Sequence, residues 1–173
     1  GLALALDKKI VSVPTVDALA YNLWGSDAVI CPLMDARRNQ VYTGLYQFEN
    51  GEMQTIEGQC VVMIDEIVEK INALGRTVVF LGDGVPVFRN YLEENLSVDH
   101  RYAPASMNKQ RAASVACLGA ILAKAGKEEE ARDHKPEYLR VSQAERERQE
   151  KERDFKICYS VRWNQRTFFR HQR

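Results

Sequence analysis

Val29-Ile30-Cys31-Pro32-Leu33-Met34-Asp35-Ala36-Arg37-Arg38-Asn39-Gln40-Val41-Tyr42-Thr43-Gly44-Leu45-Tyr46-Gln47-Phe48 is the stretch whose reading decides the fold. An almost wholly apolar run ends at Asp35, a short polar stretch follows, and a second β-prone run leaves in the opposite direction. Alternation puts Val41, Thr43 and Leu45 on one face and Tyr42, Gly44, Tyr46 and Phe48 on the other. This pattern predicts a buried strand, a tight polar corner holding Asp35 and Arg37, and an antiparallel partner with two different faces.

Further layers follow on both sides of this hairpin. Upstream, residues 1–6 read as the last turns of a helix, residues 9–13 as a short strand, and Thr15 as the N-cap of a helix that Gly25 ends. Asp17 falls in the first turn of that helix, where a carboxylate suits the dipole. Downstream, Asn50-Gly51 is a strong turn signal and residues 53–63 a third strand. Ile64, Ile67, Val68, Ile71 and Leu74 share one helical face, opposite Asp65, Glu66, Glu69 and Lys70, so this helix lies on a sheet. Residues 77–81 read as a strand, Gly82-Asp83-Gly84 as a turn, 85–95 as a helix and 98–103 as a strand. A helix over 111–126 has Ala112, Val115, Ala116, Gly119, Leu122 and Ala123 as its expected buried face, the small residues implying a close approach to the sheet. The order predicts an α/β fold with a mixed sheet and helices packed on it.

Composition sets outer bounds. The chain has 173 residues, 24 Lys and Arg against 24 Asp and Glu, and 45% hydrophobic content, enough to bury a core. From Asp154 onward the balance shifts to five bases against one acid. Cys31, Cys60, Cys117 and Cys158 form no C-x-x-C pair, and three of them sit in apolar runs where a reduced thiol acts as a small hydrophobe. With no signal peptide and no membrane span, a reducing cytoplasm is the expected compartment. His100, His134 and His171 are too far apart for a ligand motif, and neither a nucleophile elbow nor a Walker lysine loop is present.

Three segments in order carry a family resemblance: Met34-Asp35-Ala36-Arg37 followed by Gln40-Val41-Tyr42, Gly82-Asp83-Gly84 after an apolar strand, and Pro136-Glu137-Tyr138-Leu139-Arg140. With the opening Gly-Leu-Ala-Leu-Ala-Leu and Val11-Ser12-Val13-Pro14-Thr15, the set resembles the TsaB (YeaZ) family of bacterial tRNA threonylcarbamoyladenosine biosynthesis proteins over about residues 1–145. These are Gcp-like members of the actin/Hsp70-type (ASKHA, ribonuclease H-like) ATPase fold. The resemblance implies two subdomains, with the first truncated here. Residues 1–25 are then the end of the first subdomain and its crossing helices, 26–142 the Gcp-like second subdomain, and 143–173 a charged C-terminal extension, helical and then disordered. The family's acidic phosphate-loop strand and Gly-Pro-Gly-Ser-Phe-Thr-Gly segment are expected before Gly1.

In function, the resemblance implies a non-catalytic partner of TsaD in tRNA N6-threonylcarbamoyladenosine modification, a scaffold or activator working with the ATPase TsaE. A TsaD heterodimer or a homodimer is expected, with tRNA reached indirectly and no membrane. The family's partner-binding helices belong mainly to the first subdomain. No catalytic residue, metal or resident cofactor is assigned to this chain, and ATP is placed at an interface of the complex. TsaD itself is expected to hold a metal through a His-x-x-x-His pair, which this sequence lacks.

Each candidate residue has two readings. Asp35 and Arg37 either present a guanidinium fork to a phosphate or partner carboxylate, or form a self-capping turn with a surface ion pair. Gly82, Asp83 and Gly84 either approach a nucleotide at a helix start or close an ordinary strand-to-helix turn, where Asp83 repels phosphate. Pro136, Tyr138, Leu139 and Arg140 form either an interaction segment or an anchor for the C-terminal stretch. Tyr42, Tyr46 and Phe48 could stack bases or pack on a helix. Tyr159, Trp163, Phe168 and Phe169 among the tail's arginines are the ingredients of an RNA contact, although the family has no counterpart to this tail. The alternative to an accessory role is an actin-fold ATPase or phosphotransferase half-domain, which needs acidic residues placed for Mg²⁺.

Overall fold

A computed structural model describes residues 1–139. The chain divides into two compact units, Gly1–Pro136 and Glu137–Arg173. The core of the first is a five-stranded sheet in the order β3-β2-β1-β4-β5, where β1 is Val29–Asp35, β2 Gln40–Glu49, β3 Glu52–Met63, β4 Val78–Leu81 and β5 His100–Tyr102. The first three strands form an antiparallel meander, while β4 pairs parallel to β1 and β5 parallel to β4. This is the mixed sheet that the hairpin and the later strand–helix alternation predict.

Both faces of the sheet are covered at its centre, over β1, β2 and β4, which explains why β1 reads as one continuous apolar run. On one side Val29, Cys31 and Leu33 of β1, Val41 and Leu45 of β2, and Val78 and Phe80 of β4 meet α3 (Ile64–Leu74) and α4 (Val85–Asn95). On the other, Ile30, Tyr46, Val79 and Leu81 meet Val16, Leu19 and Ala20 of α2 (Thr15–Ala20). The expected division of β2 into two faces holds. Each fully buried aliphatic or aromatic side chain stabilises the fold by roughly 1.5–3 kcal/mol. Helix α3 buries Ile64, Ile67, Val68 and Ile71 and ends at Gly75, whose φ of +62° suits a residue without Cβ. Helix α4 opens with Pro86 in its first turn, where no N–H is missed.

Four expectations need correction. Residues 9–13 form no strand of the sheet; Ile10 makes a single antiparallel bridge to Glu129, because no other strand lies alongside to complete a ladder. Thr15 is the first residue of α2 rather than its cap, and Pro14 precedes it without a side-chain capping bond. Helix α5 (Ala112–Lys124) buries only Leu118, and Val115 and Ile121 are 40% and 50% exposed, so the small-residue face meets no sheet within the described residues. Cys117, on the same helix, is exposed rather than core-like. The opening helix, α1, is one turn (Leu2–Ala5), and its apolar residues are exposed or half-buried.

Among the described residues no helix is long and apolar enough to cross a membrane. Arg140, the charged helix expected after it, Cys158 and the basic aromatic tail lie outside the described residues.

Candidate functional site

Parallel pairing of β1 with β4 places the carboxyl ends of both strands side by side, the position where open α/β sheets present their loops. The β1–β2 corner and the Gly82-Asp83-Gly84 turn therefore meet. A Cβ on Gly82 would lie 2.1 Å from the Leu33 carbonyl oxygen, and one on Gly84 would lie 3.0 Å from that oxygen and 3.3 Å from the Asp35 nitrogen. Gly82 also has a φ of +115°. Gly82 is thus required by the approach of one strand end to the other, and Gly84 sits where a side chain would press on the same backbone.

The same turn donates its N–H groups within the chain. Gly82 N donates to Asn108 Oδ1 at 2.7 Å and Gly84 N to the Leu33 carbonyl at 2.9 Å. Val85 N and Val87 N donate to the Gly82 and Gly84 carbonyls, and Pro86 has no N–H. A phosphate arriving here would find these donors engaged, so the start of α4 is not a ready anion cradle.

At the corner, Asp35 Oδ1 accepts the Arg37 backbone N–H at 2.8 Å, and Oδ2 accepts Arg37 Nη1 at 3.1 Å. Asp35 closes its own turn and orients the guanidinium, whose side chain is 85% exposed. Arg37, Arg38 and Asn39 all have left-handed backbone, with φ of +65°, +56° and +58°. For residues other than glycine that conformation costs about 1–2 kcal/mol each. The turn between β2 and β3 meets the same demand with Asn50-Gly51. Asp35 and the Gly82-Asp83-Gly84 turn thus share one neighbourhood at the strand ends, with Arg37 attached through Asp35 and Asn108 bonded to Gly82.

Pro136 closes the first unit, and in the second Tyr138 is 81% exposed and Leu139 half-buried. Tyr46 is fully buried and packs with α2, and Phe48 meets Tyr21 and Trp24 edge-on at 6.0 and 6.3 Å.

Two clusters escape a reading of the sequence because their members are far apart in it. In the first, Ser12 Oγ donates to Glu129 Oε1 at 2.6 Å, and His134 Nδ1 lies 2.8 Å from Glu129 Oε1 and 3.2 Å from Ser12 Oγ. The bonds from Ser12 and His134 hold the Glu129 carboxyl below its usual range. One ring nitrogen faces both partners, so the imidazole does not stand between hydroxyl and acid as a proton relay requires. The cluster fastens residue 129 beside the Ile10 bridge. In the second, the Tyr46 hydroxyl donates to Asp17 Oδ1 at 2.6 Å. Burial pushes the Asp17 carboxyl above its usual range, partly offset by that bond, and burial likewise pushes the Tyr46 hydroxyl far up. The one local signal of this pair is Gly44 between two tyrosines.

Among the described residues no three His, Cys, Asp or Glu side chains are grouped to hold a metal ion. The buried Cys31 thiol, 3.4 Å from Thr43 Oγ1, is pushed up to about 12 by burial, which keeps it an inert thiol.

Residues 1–148 match the family model described as TsaD: tRNA N6-adenosine threonylcarbamoyltransferase. Over 147 residues the chain is 35% identical to the tRNA threonylcarbamoyladenosine biosynthesis protein TsaB of Bacillus subtilis (strain 168), covering 83% of this chain and 61% of that protein. Two solved structures share its fold. One is an uncharacterized protein with similarity to peptidase YEAZ from Pseudomonas aeruginosa, with a TM-score of 0.64 at 23% identity, covering 81% of this chain and 63% of that one. The other is YeaZ from Pseudomonas aeruginosa, with a TM-score of 0.63 at 24% identity, covering 80% and 64%. The chain spans less than two thirds of the length of each of these relatives. On the match over residues 1–148, this chain belongs to the Gcp-like family described as TsaD: tRNA N6-adenosine threonylcarbamoyltransferase, with TsaB among its homologues.

Proposed function

We propose that this chain serves tRNA N6-threonylcarbamoyladenosine formation as a non-catalytic partner of a TsaD-type protein, with a TsaE-type ATPase as the third member. The observation that carries this reading is the 35% identity to a protein named for that biosynthesis, spread over 147 residues. The site's own chemistry supports it. Asp35 and Arg37 satisfy each other, both glycines of the turn have donated their N–H groups, and the Ser12–Glu129–His134 cluster lacks the geometry of a relay. What remains outward-facing at the corner is a pair of arginines on a strained turn. Arginine in such a setting is suited to a protein interface, where it is over-represented among the residues that dominate binding.

Modification of a tRNA transcript by TsaD and TsaE, measured with and without this chain, tests the reading. Formation that rises on adding the chain, with none from the chain alone, is expected. No change on addition refutes the partner role. The other reading, an ATPase or phosphotransferase half, is distinguished in the same samples by ATP turnover from the chain alone that disappears in Asp35→Asn or Asp83→Asn.

A further inference from the structure

Away from the corner, a cavity of about 600 Å³ opens between α2, the β2–β3 turn and α5. That volume lies in the range of small-molecule sites, roughly 300–1,000 Å³. Asp17, Tyr21, Met53, Leu118, Leu122 and Lys127 are among the residues that line it. The family reading makes no use of any of these side chains.

Three features build the cavity around Asp17. The β2–β3 pairing shifts register between Thr43 and Leu45 and again between Leu45 and Tyr46, each time with the extra residue on β3, which bends that strand where it leads to Thr55 and Met53 on the cavity wall. Gly44 leaves room for the Tyr46 ring: a Cβ there would lie 2.6 Å from the Tyr46 hydroxyl oxygen. The hydroxyl then holds Asp17 Oδ1, leaving Oδ2 without a side-chain partner among the described residues. Burial disfavours the charged form of this carboxyl, as at many ligand sites. Lys127 lines the same cavity, and its charge acts on Asp17. A fully buried hydroxyl, a half-buried acid and a facing amine are more apparatus than packing α2 on the sheet requires.

We propose that this cavity binds an α-amino acid with an apolar side chain, its ammonium group on Asp17, its carboxylate on Lys127 and its side chain among Met53, Leu118 and Leu122. The opposite charges of Asp17 and Lys127 match a zwitterion, and the apolar side chains that share the cavity disfavour a ligand that is polar throughout. A simple amine would leave Lys127 unmatched, and a simple carboxylate would be repelled by Asp17.

The site stands independently of any role in tRNA modification, so its test needs no partner protein. Calorimetry and thermal unfolding of the 173-residue chain with L-leucine, isoamylamine and 4-methylpentanoate separate the contributions. L-leucine is expected to bind and raise Tm, with isoamylamine weaker and 4-methylpentanoate weakest. Asp17→Asn is expected to weaken L-leucine at least about tenfold. Lys127→Ala, at an exposed position that leaves the fold intact, is expected to remove the preference for L-leucine over isoamylamine. No binding of L-leucine at millimolar concentration overturns the proposal. So does binding that both variants leave unchanged. A purely structural Asp17–Tyr46 pair would lower Tm in Asp17→Asn with no ligand effect in the parent chain, which also overturns it.

Discussion

Arg38 and Asn50 meet the same backbone demand with different residues, and the contrast is measurable. Replacing Arg38 by glycine removes a strained left-handed residue, and Arg38 has no hydrogen bond or ion pair to lose among the described residues. Arg38→Gly is therefore expected to stabilise the chain by about 1 kcal/mol in urea unfolding; destabilisation would mean that the side chain has a structural role. Asp17 gives a second test, through pH. Its native carboxyl titrates above the ordinary value of 3.8 because burial disfavours the charge. Between that value and the native one the folded state holds more proton than the unfolded state, so the contribution of Asp17 to stability falls as pH rises through the window. The amide of the Asp17→Asn variant does not titrate. The Tm of the parent minus that of Asp17→Asn is expected to fall on raising pH from about 3.8 and then to level off; a constant or rising difference would contradict the assignment.

At the scale of elements, what the sequence made legible and what it hid follow from how local each signal is. The β1–β2 hairpin, α3 with its Gly75 stop, and β4 with the glycine turn were readable because period and punctuation lie within a dozen residues. Residues 9–13 have the composition of a strand, yet a ladder needs a neighbour, which no local pattern can reveal. The small-residue stripe of α5 likewise describes what the helix could pack against, while among the described residues its contacts centre on Leu118. Two substitutions separate these cases. Leu118→Ala is expected to cost roughly 2–5 kcal/mol as a buried truncation, whereas Val115→Lys on the exposed face is expected to change stability by no more than about 0.5 kcal/mol. Equal effects would mean that α5 is packed differently. Gly82→Ala belongs at this scale too. Its Cβ would meet the Leu33 carbonyl oxygen at 2.1 Å, in a backbone region closed to alanine. A loss of about 3 kcal/mol or more is expected, because strand ends and turn must separate together.

At the scale of the whole molecule, the first unit is a sheet covered on both faces at its centre, and its polar groups mostly answer one another. The candidate corner was legible in part. Asp35, Arg37 and the glycine turn stand in the sequence as motifs, and the parallel β1–β4 pairing brings them together. Asn108, which ties the loop after β5 to Gly82, and the Ser12–Glu129–His134 and Asp17–Tyr46 groups were not legible, since each includes a bond between residues 26 to 122 positions apart. On the proposed function, this surface serves another protein's chemistry. The most direct test is isothermal titration of the chain with purified TsaD from the same source, run beside Arg37→Glu/Arg38→Glu. A saturable complex is predicted, which the double charge reversal weakens at least about tenfold, while the loss of the exposed Asp35–Arg37 pair lowers stability by no more than about 1 kcal/mol. Absence of heat and of co-elution with the parent chain would contradict it.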